Sequence, residues 1–154
     1  MSGETLPSFS QTRGISAVWN ISSETANQWT HAAGLVAGIL GAVVLLSRVW
    51  PSGDLASIVG CTVYAVSLVA LYAASTLSHS FQIPHRREFF RMLDQVCIFL
   101  FIVSSFTPLV LVHMRNSLGW VLLSIMWALC LMGCYQRIRA RHRTISPWFF
   151  VPLG

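Results

Sequence analysis

The sequence predicts an all-α, multi-pass transmembrane helix bundle, and its composition and its pattern of apolar segments both support this. Of its 154 residues, 55% are hydrophobic and 10% are charged, with a mean hydropathy of +0.64. Soluble domains carry about 25% charged residues, so this chain lies outside their range. Apolar segments long enough to cross the hydrocarbon core, which takes about 20 helical residues, recur along the chain. The protein is therefore predicted to be a membrane protein.

The segments divide the chain into a polar tail and a membrane domain. Residues 1–21 contain Pro7 and scattered serines without periodicity, which predicts a flexible cytoplasmic tail. Ser22 or Ser23 can cap the helix that leads into the first span. Residues 22–154 form the predicted membrane domain, with spans at about 29–49, 55–78, 92–114 and 118–135. Residues 146–154 are too short to cross a bilayer and are predicted to start a fifth span.

The basic residues predict the orientation in the cell membrane. All ten are arginines, and most of them flank apolar segments. This placement is typical of charges that determine topology, and we therefore expect no nucleic-acid partner. If the N-terminus is cytoplasmic, only Arg48 and Arg115 lie on the opposite side. The other eight are then cytoplasmic: Arg13, Arg86, Arg87, Arg91, Arg137, Arg139, Arg141 and Arg143. The N-terminus is predicted to be cytoplasmic.

The polar bend between spans two and three carries most of the candidate chemistry. Ser75 and His79 are four residues apart and share one helical face, and Asp94 lies at the start of span three. In the predicted topology all three lie in the cytoplasmic leaflet. Span one brings a supporting polar stripe to the same depth, formed by Glu24, Asn27 and His31. Ionisable groups in a membrane are costly, so such a cluster indicates a metal or proton-transfer site.

Each of these residues also has a simpler interpretation. His79 can be an interfacial histidine that reaches water at a helix end. Asp94 can cap the first turn of span three and pair with Arg91. His31 can form hydrogen bonds between helices, which is the interpretation we favour for it. The five histidines contain no pair four residues apart, so the residues alone do not complete a metal site.

The four cysteines lie inside predicted spans and lack the spacing of an extracellular disulfide framework. Cys130 and Cys134 share one helical face, which could hold a soft metal. Buried cysteines more often serve as small apolar residues, so we expect these two to contribute to packing.

Four motifs resemble the hemolysin III branch of the progestin and adipoQ receptor family. They are Glu24-Thr-Ala-Asn-Gln-Trp-Thr-His31, Ser75-Thr-Leu-Ser-His79, Arg91-Met-Leu-Asp94 and Ser105-Phe-Thr-Pro108. The resemblance covers residues 24–135 and implies a seven-helix membrane fold with zinc near the cytoplasmic leaflet. It implies that His79 is a zinc ligand, that Asp94 holds a zinc-bound water and that Ser75 lies beside the site.

The chain departs from this family pattern in two ways. It lacks helices five to seven and with them a His-x-x-x-His motif, and it has Gln95 where a histidine often follows the aspartate. We therefore expect the sequence to be part of a longer protein, whose reading frame continues beyond Gly154 through three further spans.

The resemblance implies a zinc-dependent hydrolase of the ceramidase-like kind, acting on a lipid amide or ester. Zinc would lower the pKa of water, and Asp94 would orient that water or take its proton. Ser75 would hydrogen-bond the substrate carbonyl or the developing oxyanion. The alternative is a non-enzymatic membrane protein, either receptor-like or membrane-disrupting. Membrane lipids are the expected partners in either case.

Overall fold

The protein forms a bundle of α-helices. The computed structural model describes the backbone of residues 9–139 and the side chains of residues 25–139. Within this range there is no strand, and the helices are α1 (Phe9–Val49), α2 (Leu55–Ser80), α3 (Pro84–His113) and α4 (Ser117–Arg139). A short 3-10 helix, Trp50–Ser52, follows α1. The predicted all-α fold is confirmed.

Four helices of the described part are long and apolar enough to cross a membrane, so the multi-pass prediction is confirmed. These segments are Thr25–Ser52, Leu55–Ser80, Pro84–His113 and Ser117–Arg139. The predicted start of a fifth span at 146–154 lies outside the described residues, as does the first part of the predicted tail. The cytoplasmic orientation of the N-terminus stays a prediction.

Two helices begin earlier than the apolar pattern predicts. Helix α1 begins at Phe9 and so extends into the segment predicted as a tail, because adding turns to an existing helix is far easier than nucleating one. Helix α3 begins at Pro84, whereas its span is predicted from Met92. Proline is favourable in the first turn of a helix, where no partner for its nitrogen is needed. The polar bend is therefore only Phe81–Ile83, and the arginines after it are helical.

A capped turn joins α1 to α2. Gly53 has a φ of 66°, which favours glycine, and Asp54 caps α2 by accepting a hydrogen bond from the Ser57 backbone N–H at 3.1 Å. Arg115, which follows α3, donates to the same carboxylate at 3.4 Å. This ion pair links the α1–α2 and α3–α4 connections at one end of the bundle.

Small residues let the helices approach closely. A Cβ atom on Gly60 would lie 2.7 Å from the Cα atom of Pro108, so the absence of a side chain sets the distance between α2 and α3. Deeper between the same helices, the buried hydroxyls of Ser67 and Ser104 hydrogen-bond to each other. In the same way, Gly34 on α1 faces the ring of Tyr72 on α2.

The apolar core lies between α3 and α4. Phe99, Val103 and Cys130 are fully buried there, together with Cys134. The Phe99 ring packs against Gly133, where a Cβ atom would come within 2.9 Å of it. The thiols of Cys130 and Cys134 thus fill space in an apolar interface, as predicted for packing residues. All four cysteines are free thiols.

Candidate functional site

The candidate site lies where α1, α2 and α3 meet. Ser75 and His79 are in the last turns of α2, and Asp94 is well inside α3. Because only Phe81–Ile83 connects the two helices, α3 runs back antiparallel along α2. This hairpin places Asp94 beside Ser75, although 18 residues separate them in sequence.

The Asp94 carboxylate is the centre of the cluster. The Ser75 hydroxyl lies beside it, and His31 and His79 are close enough to interact with it electrostatically. Ser75 is 6% exposed, and its backbone carbonyl accepts a hydrogen bond from the Ser78 hydroxyl at 2.8 Å. Asp94 itself is partly buried. The carboxylate therefore has a buried hydroxyl on one side and imidazoles from two helices around it.

The two histidines stack on each other. Their ring centroids are 5.6 Å apart and their planes differ by 2°. The Tyr72 ring lies against His31 at 6.3 Å with a tilt of 47°. Because Gly34 faces this tyrosine, α1 approaches α2 closely enough to bring His31 to His79. His31 thus packs between helices, in the position that its simpler interpretation predicts, and also belongs to the cluster around Asp94.

The structure does not bring all of the predicted residues together. Asn27 is exposed, and its described contact is local: its carbonyl accepts a hydrogen bond from the Thr30 hydroxyl at 2.9 Å. The side chain of Glu24 lies outside the described residues. The interpretation of Asp94 as a first-turn cap is wrong, because α3 begins ten residues earlier, at Pro84.

Sequence reasoning missed Tyr72. It lies seven residues before His79, which is two helical turns, so both face the same way. That spacing could have indicated a third ring beside the histidines. Gln95, the residue after Asp94, is also notable, because its side-chain oxygen is buried without a hydrogen-bond partner.

Comparison with known proteins gives a family match over most of the chain. The profile of the family described as "Haemolysin-III related" matches residues 19–154. This chain belongs to the haemolysin-III related family. The resemblance seen in the motifs is thereby confirmed. No solved structure matches the chain.

Curated members and relatives of the haemolysin-III family are similar over a large share of this chain. Hemolysin-3 of Bacillus cereus is 36% identical over 126 residues, covering 82% of this chain and 58% of the relative. The Hemolysin-3 homolog of Bacillus subtilis is 32% identical over 136 residues, covering 88% of this chain and 64% of the relative. Human monocyte to macrophage differentiation factor is 29% identical over 139 residues, covering 84% of this chain and 56% of the relative. The chain thus spans about 60% of the length of these relatives.

The cluster of this haemolysin-III family chain is not a complete metal site. Among residues 25–139, no three histidine, cysteine, aspartate or glutamate side chains are arranged so that they could hold a metal ion. Typical catalytic zinc sites use three protein ligands. The described residues therefore offer His79 as one predicted ligand, with Asp94 and Ser75 beside it, and the remaining ligands would have to come from elsewhere.

Proposed function

We propose that this haemolysin-III family protein is a membrane-embedded hydrolase that acts on a lipid amide or ester in the cytoplasmic leaflet. The observation that carries the proposal is the meeting of Asp94 with Ser75, His79 and His31 inside the membrane domain. These four side chains come from three helices, and of them only Ser75 and His79 are close in sequence.

The energetic cost of placing such a cluster in a membrane supports a functional role for it. An ionisable side chain inside a membrane is costly, and it is tolerated mainly where it faces the bundle interior and finds partners. A structural role would be met by neutral pairs, and the Ser67–Ser104 pair on the same two helices already provides one. A carboxylate surrounded by two imidazoles and a hydroxyl exceeds what helix association requires.

The arrangement suits proton transfer during hydrolysis. A carboxylate can take a proton from an attacking water if it is held in a fixed position within hydrogen-bonding reach of that water. Ser75 can supply this positioning by donating its hydroxyl to Asp94. In this geometry Ser75 orients the base, whereas the sequence-based expectation has it bind the substrate carbonyl. The His79 imidazole adds a group that can bind a metal ion or move a proton.

Zinc is the expected cofactor, and the described residues make only part of a site for it. In the proposal His79 is one ligand, and further ligands come from outside the described residues, in line with the greater length of the curated relatives. When bound, zinc would supply Lewis acidity toward the carbonyl and the water.

The test is hydrolysis by the purified full-length protein in lipid nanodiscs. Labelled ceramide and a labelled acyl ester are supplied in the membrane, with and without a zinc chelator. Release of labelled fatty acid that stops with chelator and returns with added zinc is expected. Absence of chelator-sensitive release from both substrates would count against the hydrolase.

A second candidate function is membrane disruption, and the name of the Bacillus cereus relative, Hemolysin-3, is what favours it. In the part of the chain that the structure describes, the ionisable groups of the Asp94 cluster lie near one end of the helices and do not form the polar face of a lytic amphipathic helix. Purified protein added to dye-loaded liposomes should therefore cause no rapid leakage. Leakage at low protein-to-lipid ratios would support the lytic function instead. A receptor-like role without catalysis predicts neither hydrolysis in the nanodisc assay nor leakage in the liposome assay.

A further inference from the structure

A charged pocket at the start of α3 has no part in the proposed hydrolysis. It has a volume of about 260 Å³ and is lined by Gln82, Pro84, Arg87, Glu88 and Arg91. Arg87 and Arg91 are four residues apart on α3, so their guanidinium groups share one helical face. The volume is slightly below the range of about 300–1,000 Å³ typical of small-molecule pockets, which suits a single head group.

The pocket lies at the boundary of the bilayer. The connection Phe81–Ile83 joins two membrane spans, so the first turns of α3 lie near the level of the lipid head groups. Ile83 is 54% exposed and Phe89 is 41% exposed beside the pocket. Exposed apolar side chains next to arginines are typical of a surface in contact with both acyl chains and phosphates.

An aromatic stack holds this segment in place. The Phe81 and Phe90 rings are 4.9 Å apart and nearly parallel, and Phe89 meets Phe90 edge-on at 5.3 Å. The Arg86 guanidinium lies 5.8 Å from the centre of the Phe81 ring, in a cation–π contact. Arg86 is therefore on the aromatic side of the segment, whereas Arg87 and Arg91 line the pocket. A pocket held rigid in this way loses less conformational entropy when it binds a ligand.

The charge and the chemistry of the lining select an anion. In the lining, the two arginines Arg87 and Arg91 outnumber the one acidic residue, Glu88. Guanidinium groups match the geometry of phosphate oxygens through paired N–H donors, and the amide of Gln82 can add another donor. Glu88 opposes an anion and so limits the affinity. We propose that this pocket binds the phosphate group of an anionic membrane phospholipid, independently of the hydrolytic site.

The test compares two double variants of the full-length protein that remove the same charge. R87Q/R91Q changes the pocket lining. R86Q/R139Q changes two arginines that each lie 5.8 Å from an aromatic ring, Arg86 on Phe81 and Arg139 on Tyr135. Binding is measured by native mass spectrometry and by thermal stabilisation in phosphatidylcholine nanodiscs titrated with phosphatidylglycerol. The pocket variant should bind phosphatidylglycerol at least about tenfold more weakly than the control variant, because it loses charge-assisted hydrogen bonds to the phosphate as well as the general surface attraction.

The control variant removes the same charge outside the pocket, so it should lose only the general attraction to anionic lipid that both variants lose. Equal losses in the two variants would overturn the proposal in favour of general surface charge. E88Q should bind phosphatidylglycerol more tightly. If millimolar inorganic phosphate displaces the lipid completely, the site binds a free anion and the lipid assignment is wrong. Should R87Q/R91Q fail to fold, R91Q alone, at an exposed position, tests the same loss.

Discussion

At the scale of single residues, the structure removes one of the interpretations that the sequence leaves open for Asp94. From the sequence it could be a local cap or a member of a site. The position of α3 removes the first possibility, and the contacts with Ser75 and two histidines support the second. Its role as a base remains a prediction.

Asp94→Asn should abolish most of the hydrolysis while preserving the fold. An amide can still accept the Ser75 hydrogen bond through its oxygen, but it cannot take a proton. Loss of a general base typically costs about 10²–10⁴ in rate, and kcat for labelled ceramide should fall by that factor. Ser105→Ala is the matched control, because Ser105 is exposed on the same helix and its hydroxyl donates to the backbone carbonyl of Ile102, away from the cluster. Equal activity of Asp94→Asn and wild type would remove Asp94 from the mechanism.

Asp54 gives the protein a stability that depends on pH. Hydrogen bonds from the Ser57 side chain and backbone, together with Arg115, hold the pKa of this carboxyl below its ordinary value of 3.8. Because this folded-state pKa is depressed, the stabilisation is present above the unfolded pKa and is lost as the pH falls through the folded pKa. Desolvation opposes the shift and has a larger effect on this pKa than either contribution of Arg115, so the hydrogen bonds from Ser57 are the main cause of the lowered pKa.

The melting temperature of the wild type should therefore fall between about pH 5 and pH 3. Asp54→Asn, which keeps an oxygen to cap α2 but cannot ionise, should show a smaller fall over the same range. High salt should reduce the difference, because exposed charges are screened. Parallel curves for the two proteins at low salt would contradict this prediction.

At the scale of helices, close contacts depend on the few positions that lack a side chain. Gly60→Ala should destabilise the bundle, because the new methyl group would meet the backbone of Pro108, which has little freedom to move. Overpacking of this kind typically costs about 1–3 kcal/mol. Gly41→Ala is the control, since nothing lies within 4 Å of a Cβ atom there. Thermal unfolding in detergent should give Gly60→Ala a melting temperature well below that of the wild type and leave that of Gly41→Ala nearly unchanged.

The sequence predicts the existence of the helices better than their ends. Apolar length is sufficient to find the four spans, because a hydrocarbon core demands it. Apolar length does not identify the first turns of α3, because they contain arginines and Glu88. A polar helix is nevertheless stable there, since water and lipid head groups can solvate it. The proline that begins α3 was available as a signal, but in the sequence it indicated a bend.

At the scale of the whole molecule, orientation is the prediction most open to direct test. His85 and Asn116 are both exposed; His85 is in the first turn of α3, and Asn116 is in the connection between α3 and α4. In a background with Cys61 replaced by alanine, His85→Cys should react with an impermeant maleimide only in inside-out vesicles. Asn116→Cys should react only in right-side-out vesicles. The reverse pattern would place the N-terminus outside.

Part of the candidate site follows from the sequence, because arginine counting alone places Ser75, His79 and Asp94 at one depth. Depth does not fix the rotation of each helix about its axis, so the stack of His31 on His79 could not be predicted. Asn27 is exposed although it is four residues from His31 and shares its helical face, and the sequence holds no signal that separates the two residues.

The packing of the bundle follows the order of the chain. Within the described residues, the main contacts join α1 to α2, α2 to α3 and α3 to α4, each helix meeting the one made just before it. A helix that leaves the insertion machinery therefore finds its partner already in the bilayer. Each new hairpin closes over a short connection, which costs little loop entropy. Assembly can keep pace with synthesis, and this order of packing allows His31 and His79 to meet before α4 has been translated.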